Sequence, residues 1–219
     1  MPDRPPITNP ESAHTRERLL DASERLFAEK GFRSASVRDI TRESSCNIAA
    51  VNYHFGGKAN LYREVFLRRL RAMRKHRLDA VEAALAHAGK DATLDLLIHA
   101  FASAFVAPLV ADSSGRFWLL LLAQEMIDPQ LPAETFHAEM VEPMERALMH
   151  ALGEVSPDLS REDAQLCIHS LIGQLVHAVH IQRCLPENDG NRRLPELVEH
   201  TVRFSVAGIR ALSRETVAA

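Results

Sequence analysis

Between Glu11 and Ala107 the chain contains no proline, while four of its eleven prolines stand in the first ten residues. A stretch of that length, with apolar residues at helical spacing and glycines falling between the periodic runs, is suited to a succession of helices. Alanine and leucine are abundant and aromatic residues make up only 5%, a balance that favours helix over strand. No segment alternates like a strand, so the sequence predicts an all-α fold. With 46% apolar and 25% charged residues in 219, the chain has the composition of a globular protein with a substantial core.

Leu19, Leu20, Ala22, Ser23, Leu26 and Phe27 trace one helical stripe, and Gly31 after Lys30 offers a left-handed stop. The first helix is therefore expected from about Ala13 to Lys30. Ser36 and Asp39 form a capping box for a short helix from Val37 to Ser44. Asn47 is a good cap for a third short helix from Ile48 to His54. Two short helices about a tight turn at Ser45-Cys46-Asn47 make a helix-turn-helix. Behind Gly56-Gly57, a long helix carrying Leu61, Val65, Leu70, Met73, Val81 and Leu85 on one face reaches Gly89. Five more helices are expected, at about 92–110, 115–127, 132–152, 160–185 and 194–213, giving about nine in all. The domain reading is a flexible tail over 1–12, a helix-turn-helix domain over 13–60, a connector helix over 61–89, and a larger helical domain over 90–219.

The net charge of -3 hides an asymmetry: 16 basic and 9 acidic residues up to Leu78, then 10 basic and 20 acidic. The first part suits a polyanion and the second does not. Arg68, Arg69, Arg71, Arg74, Lys75 and Arg77 cluster on the long helix, whose far end lies about 45 Å away for a helix of about 30 residues. That cluster is read as a solvated face or as pairing with the acidic second domain. The longest apolar run, Phe117 to Ala123, is far short of a membrane span, so a soluble cytoplasmic protein with no membrane partner is expected. Cys46, Cys167 and Cys184 are an odd number without metal-finger spacing, and no structural disulfide is expected.

The segments Thr15 to Ala22, Leu26 to Phe32, Ser36 to Ile40 and Asn52 to Lys58, with Leu61-Tyr62 behind them, resemble the TetR family of bacterial transcription regulators. Asn47-Ile48-Ala49-Ala50-Val51-Asn52-Tyr53-His54-Phe55 is similar to the recognition segment of one subgroup of that family. A recognition helix fits the major groove when its leading side chains are small or hydrogen-bonding, as Asn47, Ala49, Ala50 and Asn52 are. Asn52 suits an adenine edge and the alanine methyls suit thymine. Tyr53, His54 and Lys58, with Ser36 and Arg38 from the preceding helix, are placed by the resemblance on phosphates. Where the family often has glycine in the turn this chain has Ser45, at a cost of about 1 kcal/mol if the residue is left-handed.

The resemblance implies a homodimer on a palindromic operator, usually a repressor released by a small effector, with no cofactor and no enzymatic activity. Leu171, Gly173, Leu175 and Ala178, with Val202, Gly208 and Ile209, are the candidate dimer interface on the last two helices. Phe101, Phe105, Trp118, Leu122, His137, Met140 and Met144, with Gln174 and His177, are candidates for an effector pocket, though core packing explains most of them too. His169, His177, His180 and Cys184 fall near one helix face, where a soft metal or a polar stripe at an interface are both readings; no metal is expected. The alternative function is an all-helical enzyme or ligand-binding protein acting through the second domain, with His177 and Cys184 as its candidate reactive pair.

Overall fold

A computed structural model of the chain describes residues 10–110, 113–184 and 187–218, and these are helical with no strand among them. The helices are α1 (Pro10–Ser34), α2 (Val37–Glu43), α3 (Ile48–Phe55), α4 (Lys58–Ala88), α5 (Leu94–Val110), α6 (Ser113–Ile127), α7 (Ala133–Phe136), α8 (Glu142–Val155), α9 (Arg161–Cys184) and α10 (Glu187–Ala218). A π-helical turn, His137–Val141, joins α7 to α8 without a break, so one interrupted rod stands where a single helix over 132–152 is expected. Of the expected tail, residues 1–9 lie outside the described residues, and Pro10 to Ser12 already belong to α1. Gly31 (φ 77°, ψ 164°) breaks α1 after Lys30 as anticipated, and one further turn follows it. Helix α10 starts at Glu187 rather than near Leu194 and runs through Pro195.

The described residues divide into two compact units, one from Met1–Leu70 and Ser113–Thr135, the other from Arg71–Asp112 and Phe136–Ala219. This division differs from the one read off the sequence. Here α4 is shared between the units, and α6 falls in the same compact unit as the helix-turn-helix helices. The reason is an aromatic seam. Tyr62 meets Phe27 and Phe32 edge-on at 5.1 and 5.2 Å, Phe66 follows Tyr62 at 6.3 Å, and Trp118 of α6 packs on Phe66 at 5.0 Å. The Tyr62 hydroxyl donates to Glu125 at 2.6 Å, and burial beside that carboxylate raises its pKa above the ordinary tyrosine value. Around the seam Leu19, Leu20, Ile40, Val51, Leu61 and Val65 are fully buried.

In the second unit the main contact is α9 along α10, with α5 and α8 against them. Ile168, Leu171, Leu175, Ala178 and Val179 of α9 and Val202, Val206 and Ile209 of α10 are buried there.

The turn between α2 and α3 carries strain and its compensation together. Ser45 is left-handed (φ 51°), the one described non-glycine residue with positive φ. Cys46 N–H closes onto the Thr41 carbonyl at 2.8 Å, and the Arg18 guanidinium donates to the carbonyls of Ser44 and Ser45, the latter at 2.9 Å. Ser45→Gly is expected to stabilise the chain by about 1 kcal/mol by removing the Cβ clash. Arg18→Ala is expected to cost about 1.5 kcal/mol by stripping a charged donor from the turn. Urea denaturation of the two variants checks both signs.

Candidate nucleic-acid interface

Two caps set the helix-turn-helix. The Ser36 hydroxyl accepts from the Asp39 amide at 3.1 Å and donates to the Asp39 carboxylate at 2.8 Å. That donation, with Lys30 and Arg42 nearby, holds the Asp39 carboxyl below its ordinary pKa. The Asn47 side-chain oxygen accepts from the Ala49 amide at 3.0 Å and starts α3. Gly56, left-handed at φ 70°, ends α3 by returning its N–H to the Asn52 carbonyl at 2.9 Å. Helix α3 is thus a single rigid segment of eight residues.

Its two faces are sharply different. Val51 and Phe55 are buried in the module, while Ile48, Ala49, Asn52 and Tyr53 face outward, Tyr53 at 81% exposure. Asn47 is exposed and Ala50 half-buried, so Ala49 is the more available methyl. His54 is half-buried against Tyr53, ring centroids 4.9 Å apart and edge-on. Arg38 is exposed and forms no ion pair among the described residues. Lys58 is drawn inward: its ammonium sits 4.5 Å over the Phe32 ring and donates to the Arg33 carbonyl at 3.3 Å, and partial burial lowers its pKa below the usual lysine value.

The basic cluster on α4 is neutralised, and among the described residues only Arg71 and Arg74 find an acidic partner, Glu139, within the stretch 90–219 as the sequence suggests. Arg68 pairs with Glu17, Asp21 and Glu24, and Arg69 with Glu24, all on α1 and not in the second domain. Arg71 and Arg74 pair with Glu139, whose carboxyl pKa they lower, Arg71 chiefly by its hydrogen bond. Lys75 pairs with Asp79 on its own helix at 2.6 Å. Arg77 is neither solvated nor paired but buried, at 6% exposure.

The candidate pocket residues do not form one group. Trp118 and Leu122 belong to the first unit, where Trp118 is spent on Phe66. Phe101 and Phe105 face each other at 5.9 Å in the second unit, where Met140 and Met144 are buried as well. His137 is exposed. Gln174 and His177 instead line a groove of about 520 Å³ between α9 and α10, with Ser170, Gly173, His200 and Thr201. Arg77, grouped by its charge with the basic cluster of α4, occupies the step between Met73 and Val81 on an apolar stripe, where arginine breaks the pattern.

The dimer candidates also separate. Leu171, Leu175, Ala178, Val202 and Ile209 are buried within this chain. Gly173 and Gly208 are exposed, and a Cβ at either would meet nothing within 4 Å. Among the described residues, the large apolar side chains facing outward on α9 and α10 are Leu166 (57% exposed), Val176 (53%) and Phe204 (60%). Of the histidine–cysteine set, His169 lies 3.8 Å from Glu145, and the side chain of Cys184 lies outside the described residues. No group of three potential metal ligands comes together among the described residues. Cys46 and Cys167 are free, and burial, with Asp163, raises the Cys167 pKa, the opposite of thiol activation.

The model for bacterial regulatory proteins of the tetR family matches residues 19–65. That for the C-terminal domain of the HTH-type transcriptional dual regulator CecR matches residues 94–209, more than half of the chain. The regulator YttP of Bacillus subtilis is 36% identical over 47 residues, 22% of this chain and 23% of that one, so the chain spans about a quarter of that relative's length. The regulator UidR of Escherichia coli K12 is 27% identical over 157 residues, 68% of this chain and 74% of that one. A crystal structure of a TetR-family regulator from Mesorhizobium loti shares the fold with a TM-score of 0.64 and 21% identity, covering 93% of this chain and 98% of that one. With both halves matched, the chain belongs to the TetR family of bacterial transcriptional regulators and carries a C-terminal domain of the CecR type.

Proposed function

We propose that this regulator binds a palindromic operator as a homodimer in the cytoplasm, acting as a repressor that a small effector releases. The observation that carries this reading is the outward face of α3, on which Ala49, Asn52 and Tyr53 stand clear of the module that Val51 and Phe55 anchor. Asn52 both donates and accepts and so suits an adenine edge in the major groove, while the Ala49 methyl suits a thymine methyl. Tyr53 and Arg38 are free to reach phosphates. The Ser36 hydroxyl proton is already given to Asp39, so Ser36 serves phosphate binding chiefly by holding the first turn of α2 in place. Lys58, drawn over Phe32, would have to swing outward to join them.

For the dimer, the supporting feature is the outward stripe on α9 and α10. The stretch Arg161–Ile181 is long and apolar enough to cross a membrane, with a mean hydropathy of 1.2, and one third of it is buried in the chain. A second copy, packing α9 and α10 into a four-helix bundle, would cover Leu166, Val176 and Phe204. It would also account for glycine at 173 and 208, where glycine costs about 1 kcal/mol against alanine in a helix and no intrachain neighbour requires it. An effector then acts by preferring the dimer geometry that misfits the two half-sites.

Selection from random duplexes is expected to return a palindrome, and affinity for it should fall about a thousandfold between 50 and 200 mM salt. Recovery of no palindromic, salt-sensitive site contradicts the reading. Asn52→Ala is expected to lose about 1–3 kcal/mol at one base pair of each half-site; an equal loss on every sequence would make Asn52 a positioning residue. Phe204→Asp is expected to convert the dimer to monomer in sedimentation and to weaken palindrome binding at least about a hundredfold. A Phe204→Asp protein that remains dimeric rejects the α9–α10 interface.

A further inference from the structure

Arg77 lies on the buried face of α4, one turn from Met73 and one turn from Val81, both also buried. Its guanidinium stacks 3.7 Å over the Phe105 ring. Of its five N–H donors, one on Nη1 points at the Met140 sulfur at 3.8 Å and one on Nη2 at the Phe105 carbonyl at 3.5 Å. Both contacts are long, and a thioether is a weak acceptor. The Nε–H has no hydrogen-bond partner among the described residues. Glu139, beside Met140, is held by Arg71 at 2.7 and 3.1 Å and by Arg74, and no carboxylate among the described residues pairs with Arg77. Burial pulls the Arg77 pKa down to about 10, still well above neutrality, so the group keeps its charge.

A buried cation without an anion is an arrangement that folded chains avoid. Stacking on Phe105 favours the position without supplying the missing counter-charge. The surroundings are adaptable. Met140 sits in the π turn His137–Val141, a local widening of the helix of the kind common at functional sites, and Met140 and Met144 are unbranched and repack readily. With Arg71 and Arg74 already paired, the Arg77 guanidinium is the one left without a carboxylate here among the described residues, which matches a monoanion better than a dianion.

We propose that Arg77 anchors the headgroup of the effector, and that the effector is an amphiphile with a singly charged anionic head and an apolar body lodged among Phe101, Phe105, Met140 and Met144. This deepens the reading of the chain as an effector-released regulator and rests on it.

Calorimetric titration of the full-length protein with decanoate, decan-1-ol and decyltrimethylammonium, each below its aggregation limit, tests the proposal. Decanoate is expected to bind at least about 30-fold tighter than the alcohol, with no binding of the cation. Arg77→Met should bring decanoate down to the affinity of the alcohol and leave the alcohol within about threefold of wild type. Arg77→Lys, which keeps the charge, should retain a preference for decanoate. Equal binding of decanoate and alcohol by the wild type, binding of neither, or a preference that survives Arg77→Met overturns the anchor. If Arg77→Met does not fold, equal binding of decanoate and the alcohol by the wild type still overturns the anchor, and Arg77→Gln takes its place in the comparison. Operator binding in the same preparations, measured without amphiphile, reports separately on the regulator reading: its loss refutes the regulator, whereas its retention alongside a failed titration refutes only Arg77.

Discussion

The face of α3 proposed to read DNA depends on an aromatic seam that contains none of its residues. Helix α3 is eight residues long, too short to persist in water by itself. It is held by Val51 and Phe55, which are buried in a module whose interior is lined by Phe27, Tyr62, Phe66 and Trp118. Trp118 lies on α6, far along the chain from the segment it supports. The polar ends of the seam are tied as firmly as its rings. Glu125 accepts a hydrogen bond from the Tyr62 hydroxyl on one oxygen and from the amides of Gln130 and Leu131 on the other, at 2.9 and 2.7 Å. Gln124 donates to the Ala28 carbonyl at 2.8 Å, just before α1 breaks at Gly31. A substitution on α6 therefore acts on α3 through packing, without touching it.

Charge is spent in a similarly selective way. The basic excess of the first part of the chain reads as a polyanion-binding surface, yet Arg68 and Arg69 are consumed by three acids of α1, and Arg71 and Arg74 by Glu139. What remains available near α3 is a small set dominated by Arg38 and the polar residues of α3 itself. Specificity then comes from where a few groups stand, while the intramolecular pairs fix the helices that present them.

Much of this was legible in the sequence where the signal was local. The caps at Ser36 and Asn47 and the break at Gly31 each depend on residues only a few positions apart, and each is found as read; the left-handed Ser45, left conditional by the sequence, is settled by its φ of 51°. The tertiary choices were not legible. Helical spacing shows that Trp118 is apolar and inward-facing but not which neighbour it meets, so it was grouped with Phe101 and Phe105 in place of Phe66. The same limit applies to α9 and α10: Leu171 and Val176 look alike in a periodic pattern, and only packing shows that the first is buried within the chain and the second faces outward. Arg77 is the reverse case, a charge whose position on an apolar stripe carried the information while its type suggested solvent.

The π turn at His137–Val141 also bears on how such a regulator can change over time. A π turn holds about one residue more than the α-helical turn it replaces, and each residue of an α-helix turns the chain by about 100°. Deleting one residue there restores regular α geometry and can be absorbed within the turn, leaving α8 in register while changing which side chain stands where Met140 now meets Arg77. The lining of the sensing half can thus be revised by single-codon insertions and deletions, with the helices that read DNA left as they are.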